Sequence, residues 1–388
     1  MESSIPATLL AAFATVPDPR RRQGTRYALS AVLALMVAAM LANHRSVLAI
    51  AEWGASQDDA LLAALGFPAG VTPHQSTVQR LVRRLDVQAV SAAVGRYLTQ
   101  RNAPSTARGQ QGIALDGKAQ RTRQAYAEPA TGVIQALSAV CHDSGIVLAQ
   151  EPVEHLGDKA EAELTVAPRL LARLDLRDRV VTGDALYCQR ELCQQVLAAG
   201  GDYLFLVKAN QPALYEDLRL LFDPPTPALP LLDQRAVCTL DQGHGRYDET
   251  RHLIASTDLN EYLDWPGVQQ VFRLKRTWWQ QGHGHQTVRY GLTSLPPTVA
   301  SAARLLALRR GHWRIENGLH YVKDGSLDED RCTARLDAGP TILAIVRDTV
   351  VSLLHAVGCS TIAARLRHYS RRPCDLLPLL GLEVLQNA

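Results

Sequence analysis

Residues 112–121, GIALDGKAQR, decide the fold: they read as a short strand that ends at Asp116. Working outward, TGVIQALSAVCHDSGIVLAQEPV (131–153) gives two strands around a turn at His142–Gly145. DKAEAELTVAPRLLARLDL (158–176) is an amphipathic helix, and RVVTGDAL (179–186) is a buried strand ending at Asp184. CQRELCQQVLAAGG (188–201) is a helix with a glycine stop, and DYLFLVKAN (202–210) is a fifth strand. Three strands, a helix, a strand, a helix and a strand make a three-layer α/β unit, so the chain is α/β in its centre and α+β overall.

That order is the order of a ribonuclease-H-like domain up to its fifth strand, a choice of fold made by analogy. After PPTPALP (224–230), residues 235–295 turn polar and strand-like, as a β-rich insertion would. A helix over 301–323 then completes the α/β unit. GPTILAIVRDTVVSLLHAVG (339–358) adds an apolar helix, and the basic STIAARLRHYSRRP (360–373) closes the chain. On the N-terminal side the reading is helical: a buried helix from Leu29, an amphipathic stretch over 46–66, and GVTPHQSTVQRLVRRLD (70–86). In that last segment Val78, Leu81, Val82 and Leu85 recur at helical spacing, with Arg80, Arg83 and Arg84 on the other faces. The second half of a helix-turn-helix and a solvated basic helix both fit it. The polar RNAPSTARGQQG (101–112) marks a boundary. The expected domains are therefore a helical, DNA-binding region over 1–108, the first part of a catalytic core over 109–234, a β-rich insertion over 235–300, and core-completing and C-terminal helices over 301–388.

Bulk properties narrow the class. A length of 388 residues allows two or three domains, and a net charge of +3 permits a nucleic-acid partner without demanding one. Charge is more telling locally: Arg304 to Lys323 holds five Lys/Arg against one acid, and residues 19–26 read PRRRQGTR. Seven scattered cysteines without CxxC spacing suit free thiols in a reducing compartment. The longest apolar run, ALSAVLALMVAAMLA (28–42), has fifteen residues, short of the roughly twenty a bilayer needs. It follows a basic segment well inside the chain, so a buried helix fits it better than a signal peptide. No membrane association is expected.

The chemistry-bearing residues are acids. Asp116 and Asp184 close two strands whose carboxyl ends share one rim of an open sheet, where sites form. Either could instead cap the turn or helix that follows it. A third acid stands in RRGHWRIENGLHYVKDGSLDED (309–330), where Ile315, Leu319 and Val322 make an apolar stripe that Leu305 and Leu308 continue. Glu316 lies at the stripe's edge, with His312 and His320 four residues to either side and Lys323 seven beyond. Alone, that pattern suits an intrahelical ion-pair ladder. Beside two strand-end aspartates it suits a third ligand for two hard divalent cations about 3.5–4 Å apart, the pair that phosphodiester chemistry calls for. A zinc site on His312, Glu316 and His320 is geometrically feasible but lacks the HExxH pattern.

The chain resembles the DDE transposases of bacterial insertion sequences, in the group of the H-repeat-associated proteins. The resemblance rests on DPRRRQGTRYALSAVLALM, AIAEWG, PHQSTVQRLVRRLD, ALDGKAQR, VTGDALYCQRELCQQV, GGDYLFLVKANQPALYEDL, QGHGRYDETR and GHWRIENGLHYVKD, in that order, and on the acidic DED after them. It implies a ribonuclease-H-like core with a β insertion between the second and third acids, and Mg²⁺-dependent cutting and joining of element ends. By position, Asp116, Asp184 and Glu316 are the implied catalytic acids and metal ligands for two Mg²⁺, with Mn²⁺ able to substitute. In the family's Tyr-Arg-Glu-Lys signature Lys323 holds the lysine place, whereas Arg309 and His312 stand at the tyrosine and arginine places. Arg309, Arg310 or Arg314 can supply that positive charge. Asp324, Glu329 or Asp330 is the reserve for the third acid.

Lys118, Lys208, Arg310, Arg314, His320 and Lys323 are the expected DNA contacts; a lysine there can equally be a solvated side chain. His244 and Arg246 match the family without an assigned role. Trp278 and Trp279 suit a strand alternating between core and edge better than a base-stacking platform. The expected function is a DNA transposase acting on terminal repeats and target DNA. It would be a homodimer when assembled on DNA, in the nucleoid-associated cytoplasm of a bacterium. A non-catalytic transposase relic that binds DNA, and a metal-dependent nuclease without strand transfer, are the alternatives.

Overall fold

The computed structural model describes residues 7–21, 25–101, 111–123, 133–153, 155–156, 159–160, 163–225, 231–243 and 246–383. The boundary segment 101–112, most of 224–230 and His244 lie largely or wholly outside them. The chain falls into two compact units. One comprises Met1–Ala107, Gly117–Leu170 and Ile315–Ala388; the other comprises Arg108–Asp116 and Leu171–Arg314.

In the first unit Thr8 caps α1 (Leu9–Phe13) by accepting from the Ala11 amide. Being apolar on every face, α2 (Leu29–Leu41) can only be an interior helix, and all of it but Ser30 is buried. The amphipathic stretch over 46–66 is two helices, α3 (Val47–Ala55) and α4 (Asp59–Ala64), because Asp58 accepts from the Leu61 amide and starts a new one. His74 caps α5 (Gln75–Val82), and α6 (Val87–Arg101) follows.

β1 (Gln111–Arg123) runs beyond Asp116, where the sequence reading ends it. β2 (Val133–Cys141) and β3 (Val147–Val153) form the expected hairpin, and β4 (His155–Leu156) and β5 (Lys159–Ala160) a small separate ladder. α7 (Glu163–Leu171), β6 (Arg179–Gly183), α8 (Arg190–Ala198), β7 (Asp202–Val207) and α9 (Pro212–Phe222) complete the alternation. β6 pairs parallel with both β1 and β7, so each parallel step needs a crossover, and α7 and α8 supply them.

The β-rich stretch is an antiparallel meander of β8 (Arg235–Gly243), β9 (Arg246–Ser256), β10 (Gln270–Gln280) and β11 (His283–Thr293). It is no separate sheet, since Tyr290–Thr293 of β11 pair with Leu204–Val207 of β7. Strand order in the main sheet is β3-β2-β1-β6-β7-β11-β10-β9-β8. Its first five positions are the ribonuclease-H-like order, with the meander appended at the β7 edge. α10 (Ala302–Gly311) lays Leu305, Leu306 and Leu308 on Val180, Leu204, Leu206, Leu253 and Phe272, which makes the core of the second unit.

The helix expected over 301–323 is broken. After α10 comes a π-helical turn, Ile315–His320, and then α11 (Tyr321–Gly325). The apolar stripe accordingly serves two cores: Leu305 and Leu308 belong to the second unit, while Ile315 and Leu319, both fully buried, belong to the first. α12 (Gly339–Ala356) is buried along nearly its whole length against α2, α5, α6 and β3, and α13 (Ile362–Arg371) follows it. Among the described residues no helix is long and apolar enough to cross a membrane.

Candidate active site

The register of β1 on β6 carries the geometry. Gln111 pairs with Arg179 and each following residue with its counterpart, to Ala114 with Thr182. The ladder ends there; continued two residues further, the same register would set Asp116 opposite Asp184. β6 ends at Gly183, and Asp184 just beyond it keeps an extended backbone (φ −79°, ψ −172°). Equivalent residues of parallel neighbours point to one face about 4.8 Å apart, so such a register would put the two carboxylates on the same face. Asp184 also caps: its Oδ1 accepts from the Leu186 amide at 2.9 Å, while Oδ2 lies 3.7 Å from the Lys208 ammonium. The capping reading therefore holds, and the cap occupies one oxygen only.

Gly117 lies beneath a carboxylate. A Cβ there would come within 2.0 Å of Glu163 Oε1, whose carboxylate packs over the Gly117 backbone and accepts from Gln135 Nε2 at 2.6 Å. Glu163 is an acid the sequence reading passed over, because in a first helical turn it looks like an ordinary helix-dipole partner.

Glu316 stands on the π-helical turn of the first unit, exposed to solvent. Among the described residues no cation pairs with it, so the ion-pair ladder is not formed. Lys323 is buried and turns to Glu329 (3.1 Å) and Asp348 (2.8 Å). Burial alone would lower its ammonium, but the two carboxylates outweigh that and hold it above lysine's ordinary value. Asp348 is pushed up to about 6 by burial, with Lys323 opposing. In the second unit His312 is buried, with Nδ1 3.2 Å from Thr182 Oγ1, whose hydroxyl donates to the Ile113 carbonyl.

The expected DNA contacts divide. Lys208, Arg310 and Arg314 are exposed, Arg310 reaching Asp241 at 3.3 Å. Lys118 is drawn inward to Asp324 (2.7 Å) and Glu329 (4.0 Å), which also ties two of the reserve acids into an ion-pair cluster. Lys323 lies in that cluster too, so as folded it has no surface to offer a phosphate. His320 is held down to about 3 by burial, then by Lys323 and Lys118, and so is neutral at physiological pH. Trp278 stacks on His285 (5.2 Å) beneath the Arg276 guanidinium (4.5 Å), whereas Trp279 is exposed. Of Arg246 only the backbone, at the start of β9, is described.

Among the described residues no group of three or more His, Cys, Asp or Glu is placed to hold a metal ion. Asp116 and Asp184 nonetheless offer the hard oxygen donors that suit Mg²⁺ or Mn²⁺ and not the soft or nitrogen donors of a zinc site.

A mixed sheet of this strand order, with its flanking helices, is that of a ribonuclease-H-like protein. Comparison with known families narrows the class: residues 107–347 match the transposase DDE domain, and residues 10–98 match the domain associated with it. The chain belongs to the DDE transposase family. It is 26% identical to "H repeat-associated putative transposase YhhI" of Escherichia coli K12, over 87% of this chain and 88% of that one. It is 27% identical to "Putative transposase YncI" of Escherichia coli O157:H7, over 89% and 87%. Among solved structures, the piggyBac transposase synaptic complex with hairpin DNA aligns at a TM-score of 0.45 and 10% identity, over 96% of this chain and 77% of that one.

Proposed function

We propose that this transposase cuts DNA at the ends of an insertion sequence and joins them to target DNA, with Asp116, Asp184 and Glu316 as its catalytic acids. The observation that carries the reading is the parallel pairing of β1 with β6, whose register, continued two residues past its last pair, Ala114 with Thr182, would set Asp116 opposite Asp184. Two Mg²⁺ ions, held by these three residues, would supply an activated attacking oxygen and a stabilised leaving oxygen. The carboxylates repel one another when close, and that repulsion favours cation binding. Glu316, exposed and without an ion-pair partner among the described residues, is available as the third oxygen donor. Lys208 beside Asp184 would offset phosphate charge at the reacting end. Arg310 and Arg314 would hold the strand's backbone, as would the exposed arginines Arg80 and Arg84 and the basic face of α13. Water attack opens the strand, and the freed 3′-hydroxyl then attacks a target phosphodiester, so no covalent protein–DNA bond is needed.

The test is cleavage and joining of a labelled duplex carrying the element's ends, in Mg²⁺, by wild type and Glu316→Gln. Both activities should be lost in the variant while duplex binding persists. Cleavage without joined product by wild type would make the protein a nuclease. Binding without cleavage, in Mg²⁺ or Mn²⁺, would make it a relic. Activity surviving Glu316→Gln would move the third acid to Asp324, Glu329 or Asp330.

A further inference from the structure

The turn that carries Glu316 is wider than an α-helix. A π-helical turn inserts one residue into the ladder, so a carbonyl loses its regular amide partner and has to be satisfied from elsewhere. The Gly318 carbonyl lies 3.0 Å from His355 Nε2, in the last turn of α12. A carbonyl can only accept, so Nε2 carries the proton and His355 donates. Three residues beyond the turn, Lys323 is gripped by Asp348 of the same buried helix and by Glu329. The segment carrying Glu316 is thus fastened to α12 within its own turn and just past its end, while Ile315 and Leu319 fill the core below it.

We propose that α12 sets the position of Glu316, with His355 as a positioning residue that acts through the Gly318 carbonyl. Without that donor the wide turn relaxes toward regular α-helix, which rotates every side chain upstream of Gly318, Glu316 included, out of register. The proposal rests on the reading of Glu316 as the third acid, and it gives the broken helix a purpose. A π turn is retained where its altered direction is used, and α12 supplies the bond that keeps it.

The experiment compares wild type, His355→Phe, which keeps a ring but has no donor, and His355→Gln, which restores an N–H. Amide hydrogen exchange over residues 317–322 is measured on the metal-free protein, alongside the Mg²⁺ concentration needed for half-maximal cleavage and the duplex Kd. In His355→Phe, exchange should quicken locally and the Mg²⁺ requirement should rise about tenfold, the scale of losing a ligand-orienting hydrogen bond. Duplex Kd and unfolding midpoint should stay near wild type, and His355→Gln should return both exchange and Mg²⁺ requirement most of the way. Unchanged exchange and Mg²⁺ requirement in His355→Phe would overturn the proposal. So would a loss that tracks the unfolding midpoint and that glutamine does not rescue. Faster exchange in a protein whose cleavage also survives Glu316→Gln would instead show that the anchor holds the turn and that the assignment of Glu316 is at fault.

Discussion

At Asp184 two roles share one side chain, and they separate by substitution. Asn keeps an oxygen for the Leu186 amide but loses the charge, so Asp184→Asn should unfold within about 0.5 kcal/mol of wild type while cleavage falls about a hundredfold or more. Asp184→Ala loses the cap as well and should cost about 1 kcal/mol in addition. Equal stability losses in the two variants would contradict the cap; retained cleavage in Asp184→Asn would contradict the catalytic role. Gly117 makes a second residue-level prediction. Gly117→Ala drives a methyl into the Glu163 carboxylate and should cost about 1–3 kcal/mol, a cost that Glu163→Ala in the same chain should largely remove. Denaturant midpoints of the single and double variants check it, and additive losses would refute the contact. The aspartates themselves were legible because each ends a short apolar run. Glu163 was not, because nothing local marks which acid of an amphipathic helix folds back over a glycine.

Among elements, the segment after α10 departs furthest from its sequence. Ile315, Leu319 and Val322 at helical spacing gave no sign of a π turn, since spacings of three and four cannot reveal one inserted residue. Nor could periodicity tell that Leu305 and Ile315 serve different cores, although Gly311, the last residue of α10, was a stop signal within reach. Burial after the turn has a consequence for pH. His320 stays neutral in the folded chain down to about 3, whereas an unfolded chain protonates it near 6.5. Between those values the unfolded state binds more protons. Stability from this group is therefore complete above about pH 6.5 and is lost as pH falls toward 3, at up to about 1.4 kcal/mol per pH unit. Unfolding midpoints between pH 7 and 4 should drop more steeply for wild type than for His320→Gln. Parallel curves would mean that the ring is not shielded. Lys323, expected at a phosphate, is spent inside the fold, which sequence could not show because its acidic partners lie six and twenty-five residues away.

Over the whole molecule, alternation of strands and helices was enough to give a three-layer α/β unit, whereas the order of its central sheet came by analogy, and acidic residues closing apolar runs were enough to suggest the chemistry. What the alternation could not give was the meander's attachment: β8–β11 read equally well as a separate domain, and only the pairing of β11 with β7 makes them one sheet with the core. The seven cysteines are all free thiols, so reductant should leave the unfolding midpoint unchanged; a shift would require a disulfide the fold does not contain. The central proposal is that Asp116, Asp184 and Glu316 are the catalytic acids. Manganese spin resonance on the protein bound to duplex element ends tests this most directly, with wild type compared to Asp116→Asn, Asp184→Asn and Glu316→Gln. The account predicts a coupled pair of Mn²⁺ ions in wild type and loss of that coupling in each variant. A Glu316→Gln protein that binds the coupled pair as wild type does would contradict it.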